Sequence, residues 1–387
     1  MRLVALTILL ALAARAEPWA LVNFAQRLEV DLSNPSANVI DTLAVLPVTR
    51  EFPGTLAIVV IDGIAIPSQT DTDEFMFPVK LAAGESKTAQ IYYSTTLHDT
   101  LPWPKRVHAS HAFGYNHATV ALESEVIGYR TYGGFFLDIQ ARREGRPGLY
   151  NSLVGYFGAG AASTIGRDVI HLGDTLGLGG LFLRAGNEVF RPPVNTPDYA
   201  HKPENPQAPQ YRVIADGPLR ARVESRIDGW KVGNDIVNIR AEYLIAAGSG
   251  SVECRYVIEP VRVTREYEVG AGIRDLPQMK TAHARGRLAL SGVQTADIGP
   301  VGLALYYDAG TPAKIDGNQA IVFDGKLRAS TPVSGRYHVA GAWSGTGVGD
   351  LLSYLKAEDE RARAKVKIGA TRIVKTPMPG RVEGEAP

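Results

Sequence analysis

The feature that most constrains this chain is a succession of short segments in which apolar and polar residues alternate, each closed by glycine or proline. Arg27–Leu32, Leu43–Val48, Leu56–Ile61, Glu74–Leu81 and Lys87–Ser94 follow one another, punctuated by Asn34-Pro35, Pro53-Gly54, Asp62-Gly63, Pro67 and Ala83-Gly84. A period of two sends side chains to opposite faces of a strand, and the breakers supply turns. The 40 glycines and 24 prolines in 387 residues suit a turn-rich β protein and fall short of low complexity. The expected fold is all-β. It has a small β-sandwich over 17–100, a linker at Leu101–Pro104 and a large β-sandwich over 101–373 that closes with a short helix.

In the longer region Ala118–Leu122, Glu125–Tyr132, Phe135–Ala141, Val169–Leu172 and Gly180–Arg184 read as strands. Strands resume at Tyr211–Ala215, Leu219–Ile227, Ile236–Ala246 and Val252–Pro260. Between the two groups lies a proline-rich passage, Arg191–Gln210, which fits a surface loop or a cleft wall. Leu219–Ile227 places Arg220, Arg222, Glu224 and Arg226 on one face, as in a sheet with one buried and one wet side. Such a face suits an acidic or polyhydroxylated ligand, and equally plain solvation. Two segments invite helices. One is the Gly/Ala-rich Asn151–Ile165. The other is Asp350–Val366, where Asp350 can cap and Leu351, Leu352, Leu355, Ala362 and Val366 form an apolar stripe. Residues 374–387 read as a frayed, disordered tail.

Met1-Arg2, the apolar run Leu3–Leu12 and the small-x-small Ala14–Ala16 read as a signal peptide over 1–16, with Glu17 as the first mature residue. The expected location is periplasmic or secreted. No later stretch reaches about 18 uninterrupted apolar residues, so no membrane span is expected. The 41 basic and 40 acidic residues leave a net charge of +1, which argues against nucleic-acid binding by bulk electrostatics. The single cysteine, Cys254, rules out an internal disulfide and a zinc site built on several thiolates. It shares a strand face with Val252, Tyr256 and Ile258 and reads as a buried core thiol.

Chemistry concentrates in one window. Val107–Ala118 and Glu123–Gly133 hold His108, His111, His117, Glu123, Glu125, Tyr115, Tyr129, Tyr132 and Arg130. These residue types move protons near neutral pH and hold anions. The histidine spacing matches no metal signature. No metal site or cofactor is assigned, and a divalent cation in the cleft stays an alternative. In a strand, Glu125 and Tyr129 share one face and Arg130 and Tyr132 the other. Tyr129 and Arg130 can then serve one site only through a bulge or a neighbouring strand. Ordinary core and surface roles account for the same residues. Gly177–Gly180 lacks the Lys-Ser/Thr and the helix of a phosphate loop, and Gly-x-Ser-x-Gly does not occur. Trp103, Trp230 and Trp343 can stack on sugar rings or pack a core.

Several segments, taken in order, resemble the family described as domain of unknown function 4861. They are Ala25–Asn34, Ile66–Gln69, Phe77–Ser86, Asn116–Ala118, Glu125–Tyr132, Asp168–Gly180, Tyr337–Trp343 and the closing helix. The resemblance implies a galactose-mutarotase-like β-supersandwich, export from a bacterial cell, and carbohydrate ligands of the pectin or uronate type. The function expected on that footing is a lyase acting by β-elimination on uronate-containing oligosaccharides. Arg130 would neutralise the carboxylate, His117 act as base and Tyr129 as acid, with Glu125 orienting His117. His108, His111, Tyr132, Asp168 and Trp103 would bind substrate. A non-catalytic carbohydrate-binding protein and an aldose mutarotase or epimerase are the alternatives. The expected partner is an oligo- or polysaccharide, and the oligomeric state is not legible.

Overall fold

A computed structural model describes residues 21, 24–94, 102–114, 117–131, 135–143, 166–170, 172, 175–193, 209–308, 313–317 and 319–375, side chains at 112–118 and 324 excepted. The expected signal peptide, the helix expected at 151–165, the greater part of the proline-rich passage and the tail beyond 375 lie outside the described residues.

Early alternating segments form β1 (Gln26–Ser33), β2 (Ile40–Pro47), β3 (Ile58–Ile61), β4 (Ile64–Ile66), β5 (Gln69–Asp71), β6 (Glu74–Leu81) and β7 (Ser86–Tyr92). They make two antiparallel sheets around Val30, Phe52, Phe75, Phe77, Val79 and Ile91. One sheet runs β2-β6-β5. The other runs β26-β1-β7-β3-β4, where β26 (Lys367–Lys375) comes from the far end of the chain. The division at 101–373 therefore needs correcting, because its last strand belongs to the small sandwich. The physical reason lies in β1, which needs a partner on each edge. β26 supplies the second one, pairing Leu28 with Ile373, while Arg372 Nε donates to Glu29 Oε2 at 2.5 Å. Ala364, Val366 and Ile368 pack on the same small core.

The large sandwich starts with β8 (Val107–Gly114), β9 (His117–Ser124), β10 (Gly128–Thr131), β11 (Leu137–Arg142), β12 (Gly166–Asp168), β13 (Leu178–Ala185) and β14 (Glu188–Phe190). It continues with β15 (Gln210–Asp216), β16 (Arg220–Val232), β17 (Asp235–Ala246), β18 (Ser251–Arg262) and β19 (Tyr267–Ile273). It ends with β20 (Lys280–Ala284), β21 (Arg287–Val293), β22 (Pro300–Tyr306), β23 (Ala313–Asp316), β24 (Ala320–Leu327) and β25 (Val333–Trp343). A ten-stranded sheet has the path β23-β24-β19-β13-β11-β10-β9-β8, with β12 on β11 and β14 on β13. An eight-stranded sheet runs β15-β16-β17-β18-β25-β22-β21-β20. Their facing sides bury Leu122, Tyr129, Ile139, Val223, Tyr243, Cys254 and Tyr337 in one core. Burial pushes the Cys254 thiol far above its ordinary range, so the lone cysteine is an inert core group.

Local chemistry sets the long hairpins. Val232 pairs with Asp235 across the two-residue turn Gly233-Asn234, and Gly233 takes φ +62°, a conformation without penalty for glycine alone. The closing helix, α1 (Leu351–Arg363), starts where Asp350 accepts a hydrogen bond from the Ser353 N–H at 3.0 Å. Leu351 and Leu355 lie with Ala304, Tyr306, Ala340 and Ala342 on the outer side of the eight-stranded sheet. Among the described residues no helix is long and apolar enough to cross a membrane.

Candidate functional site

β9, β10, β11 and β12 lie side by side in the ten-stranded sheet, and their register assembles a polar patch on its outer face. Arg130 stands opposite Asp138, and Gln140 stands opposite Asp168. The residues between them, Leu122, Tyr129, Ile139 and Ala141, point the other way into the core. Directly opposed side chains on neighbouring strands lie within about 5.5 Å, so the pairing itself brings the polar groups together.

The patch is buried. Arg130 Nη2 donates to Asp138 Oδ2 at 2.7 Å, with side chains 2% and 1% exposed. Arg142 Nη2 donates to Glu123 Oε2 at 2.7 Å and to the Ser124 carbonyl at 2.6 Å. Gln140 Nε2 reaches Asp138 Oδ2 at 3.4 Å, and the Ile139 N–H donates to Asp138 Oδ1 at 2.8 Å. Asp168 is half-buried and hydrogen bonds to Asp138. Burial, and then the charge of Asp168, hold the Asp138 carboxyl well above the usual carboxylate range, with Arg130 opposing them. Two carboxyls in such contact share a proton and titrate as a pair. Arg142 Nε and Nη1 and Gln140 Oε1 are buried and have no hydrogen-bond partner among the described residues. Removing charged groups from water costs several kcal/mol per ion, so two buried ion pairs on one face are weak devices for stability. Perturbed carboxyls of this kind concentrate at functional sites.

Backbone strain borders the patch. Phe135, between β10 and β11, sits at φ +58° with its ring fully buried. A bulky residue in that left-handed region is an outlier, and such strain persists where the surroundings over-determine it.

The residues expected to form the site divide into those the fold gathers and those it separates. Arg130 and Asp168 belong to the patch. Tyr129 does not: its fully buried hydroxyl donates to the Gly250 carbonyl at 2.5 Å and accepts from the Gly341 N–H at 2.9 Å. Burial pushes its phenol well above the ordinary range, and with its hydroxyl tied to two backbone groups in the core it has no contact with the patch. Glu125 cannot orient His117. It lies in the turn after β9, holding Arg106 and accepting from the Gly248 N–H at 2.9 Å. His117 opens β9, paired with Gly114, and eight residues of strand separate the two by about 26 Å. His117 also stands four residues from Ala121, the partner of Arg130, about 13 Å along the strand. The expected trio is thus not assembled by the strand register. The His117 side chain and Tyr132 lie outside the described residues.

His108 and Ala109 meet Asp216 instead, through His108 Nδ1 at 3.0 Å and the Ala109 N–H at 3.0 Å, with Lys105 Nζ at 2.6 Å. Burial raises the Asp216 carboxyl, but these partners outweigh it and leave it below the usual range. His111 is exposed in the middle of β8, opposite Val120. Trp103 is half-buried ahead of β8, and Trp230 and Trp343 are core residues. Among the described residues no group of three or more His, Cys, Asp and Glu could hold a metal ion. Asp138, Gln140 and Arg142 were missed by sequence reasoning, and Glu123 was noted in the chemistry-rich window without a role. The available signal was the alternation Leu137–Arg142, which sets Asp, Gln and Arg on one face just as Leu219–Ile227 sets its charges.

No curated protein matches this chain in sequence. Among solved structures, a glycosyl hydrolase family 38 protein from Enterococcus faecalis matches at a TM-score of 0.49 and 9% identity, covering 89% of this chain and 47% of that one. An alpha-mannosidase from Enterococcus faecalis V583 matches at a TM-score of 0.48 and 8% identity, covering 89% and 46%. This chain therefore spans about half the length of the solved structures it matches. Likenesses this distant say nothing about a reaction. The sequence itself is more specific: residues 39–368 match the family described as Domain of unknown function (DUF4861), and the chain belongs to that family.

Proposed function

We propose that this protein is an exported, periplasmic or secreted carbohydrate-active enzyme that works by proton transfer on uronate-containing, pectin-like oligosaccharides, as a lyase acting by β-elimination. The observation that carries this reading is the Asp138–Asp168 pair, two carboxyls in hydrogen-bond contact beside Arg130 on a strand-borne polar face. Carboxyls in hydrogen-bond contact are closer than the ~5 Å across which retaining glycosidases hold a glycosidic bond. They fit proton removal and return at one place better than displacement at a sugar carbon.

In β-elimination a base takes the proton on the carbon beside the uronate carboxylate. The C–H electrons form a C=C bond, the C–O bond to the leaving sugar breaks, and its oxygen takes a proton. Asp168 suits the base and Asp138 the acid. Arg130 is committed to Asp138, so it positions the acid rather than clamping substrate. The Nε–Nη1 edge of Arg142 is the better candidate for the substrate carboxylate, since a guanidinium edge matches a carboxylate in two parallel hydrogen bonds.

The test is to incubate the mature protein with a panel of uronate polysaccharides and follow absorbance of the 4,5-unsaturated product. Silence across the panel defeats the lyase reading. Commitment of Arg130 to Asp138 also favours a second reading, an aldose mutarotase or epimerase, which needs an acid and a base but no carboxylate clamp. Polarimetry on aldoses separates it from the first. Saccharide binding without turnover in either assay would leave a non-catalytic binding protein.

A further inference from the structure

The outer face of the eight-stranded sheet lies on the opposite side of the sandwich from Asp138 and Asp168. β16 sends Arg222, Glu224 and Arg226 to it, and β17, β18 and β25 add Arg240, Arg255 and Arg336. Arg226 stands directly opposite Arg240, and Arg255 directly opposite Arg336. Like charges placed so on adjacent strands destabilise a sheet. In each pair one arginine is neutralised, Arg226 by Asp228 at 2.8 Å and Arg255 by Glu253 at 3.0 Å. Arg240 and Arg336 are exposed and make no ion pair among the described residues.

These two arginines border a basin of ≈ 480 Å³ whose lining includes Arg222, Arg240, Arg255 and Arg336 against a single carboxylate, Glu242. Arg222 is paired with Glu242 at 2.7 Å and Arg255 with Glu253 at 3.0 Å, so the positive charge left over on this basin is that of Arg240 and Arg336. Through Arg255 and Arg336 it joins a cleft of ≈ 710 Å³ between the two sandwiches. Through Arg240 and Val257 it joins a hollow of ≈ 500 Å³ farther along the sheet. Arg240 and Arg336 lie two strands and two residues apart, about 12 Å between Cα atoms. That spacing lets two extended guanidinium groups engage separate acid groups of one chain-like ligand.

We propose that this trough is a binding site for an acidic saccharide bearing carboxylate or sulfate groups, with Arg240 and Arg336 each taking one acid group. An anion there relieves the repulsion within both arginine pairs. The ligand class rests on the carbohydrate reading above, but the site itself does not depend on which reaction, if any, Asp138 and Asp168 perform.

The experiment is isothermal titration of the mature chain with four probes. They are a galacturonate oligomer, a sulfated galactan oligomer, a neutral galactan oligomer of equal length, and a single-stranded DNA of equal charge. One or both acidic saccharides should bind, the one that binds naming the acid group, and the neutral sugar and the DNA should bind far more weakly. Arg240→Gln with Arg336→Gln should weaken binding at least tenfold without lowering the melting temperature, since the substitutions also remove two like-charge contacts. Equal binding of the neutral sugar or of DNA, no binding of either acidic saccharide, or unchanged affinity in the double variant overturns the site. Turnover of uronate substrates by a chain whose trough fails these tests would sink this site and leave the proposed reaction standing. Trough binding without turnover would do the reverse.

Discussion

Tyr129 and Asp138 show what a single residue's surroundings decide. They lie on adjacent strands with opposite orientations. Tyr129 is a structural hydroxyl: Tyr129→Phe orphans the buried Gly250 carbonyl and Gly341 N–H, at a cost of about 1–3 kcal/mol. Urea unfolding should show that loss while turnover stays unchanged. A fall in kcat near 100-fold would instead restore an acid role to the phenol. Asp138→Asn should lower kcat by about 10²–10⁴-fold. It should also change the pH dependence of stability. Folding keeps Asp138 protonated where the unfolded chain has already ionised it, near pH 4 and above. The unfolded chain then binds fewer protons, so this contribution to stability is full below the unfolded pKa and is lost as pH rises through the folded one. Unfolding measured from pH 3.5 to 8 should show the wild type losing stability relative to Asp138→Asn as pH rises. A constant difference would mean the carboxyl is not perturbed. The sequence made part of this readable. Alternation alone separated Tyr129 from Arg130 and buried Cys254. It could not tell that the Asp138 face was covered, because an outward period-two polar residue looks the same in water and in a buried patch.

At the level of strands and helices, legibility followed locality. The helix start at Asp350 and the hairpin strands of β16 and β17 rest on capping, turns and alternation within a dozen residues, and all could be read directly. Pairing between remote strands has no such local signature, and β26 is the clearest case. Its residues, Lys367–Lys375, are mostly exposed and hold no apolar alternation strong enough to reveal that their partner is β1. Seven register pairs join the two strands, and ladder bonds are worth about 0.5–1.5 kcal/mol each. Truncation after Arg363 should therefore destabilise the small sandwich by several kcal/mol and leave β1 as a bare edge open to intermolecular pairing. Limited proteolysis should cut within 24–94 while the large sandwich resists, and light scattering should show association. Resistance of both regions to protease would show that β26 is dispensable for the small core.

The whole molecule is held together by a side chain acting as backbone. Gln69, on β5 of the small sandwich, reaches the start of β16 in the large one. Its Oε1 accepts from the Leu219 and Arg220 N–H groups, each at 2.8 Å, and its Nε2 donates to the Arg220 carbonyl at 2.8 Å. The approach is so close that a Cβ on Gly217 would lie 2.2 Å from the Gln69 amide carbon, so only glycine fits there. Arg220 then turns back to Asp71 at 2.5 Å and to Glu74 at 2.6 Å. The Pro-rich linker announced two bodies in the sequence, but nothing in it announced that one amide would complete a strand of the other body. Gln69→Leu keeps comparable bulk and orphans three buried backbone groups at once, each worth about 1–3 kcal/mol when left unpaired. The Arg220 ion pairs remain, so the two sandwiches should stay joined in the native state while losing cooperativity. Calorimetry should show one transition for the wild type and two for the variant, with the small sandwich melting first because it has the smaller core and depends on a strand from the chain's far end. One transition at an unmoved temperature would mean that the ion pairs alone couple the bodies and that the Gln69 contacts add only fit.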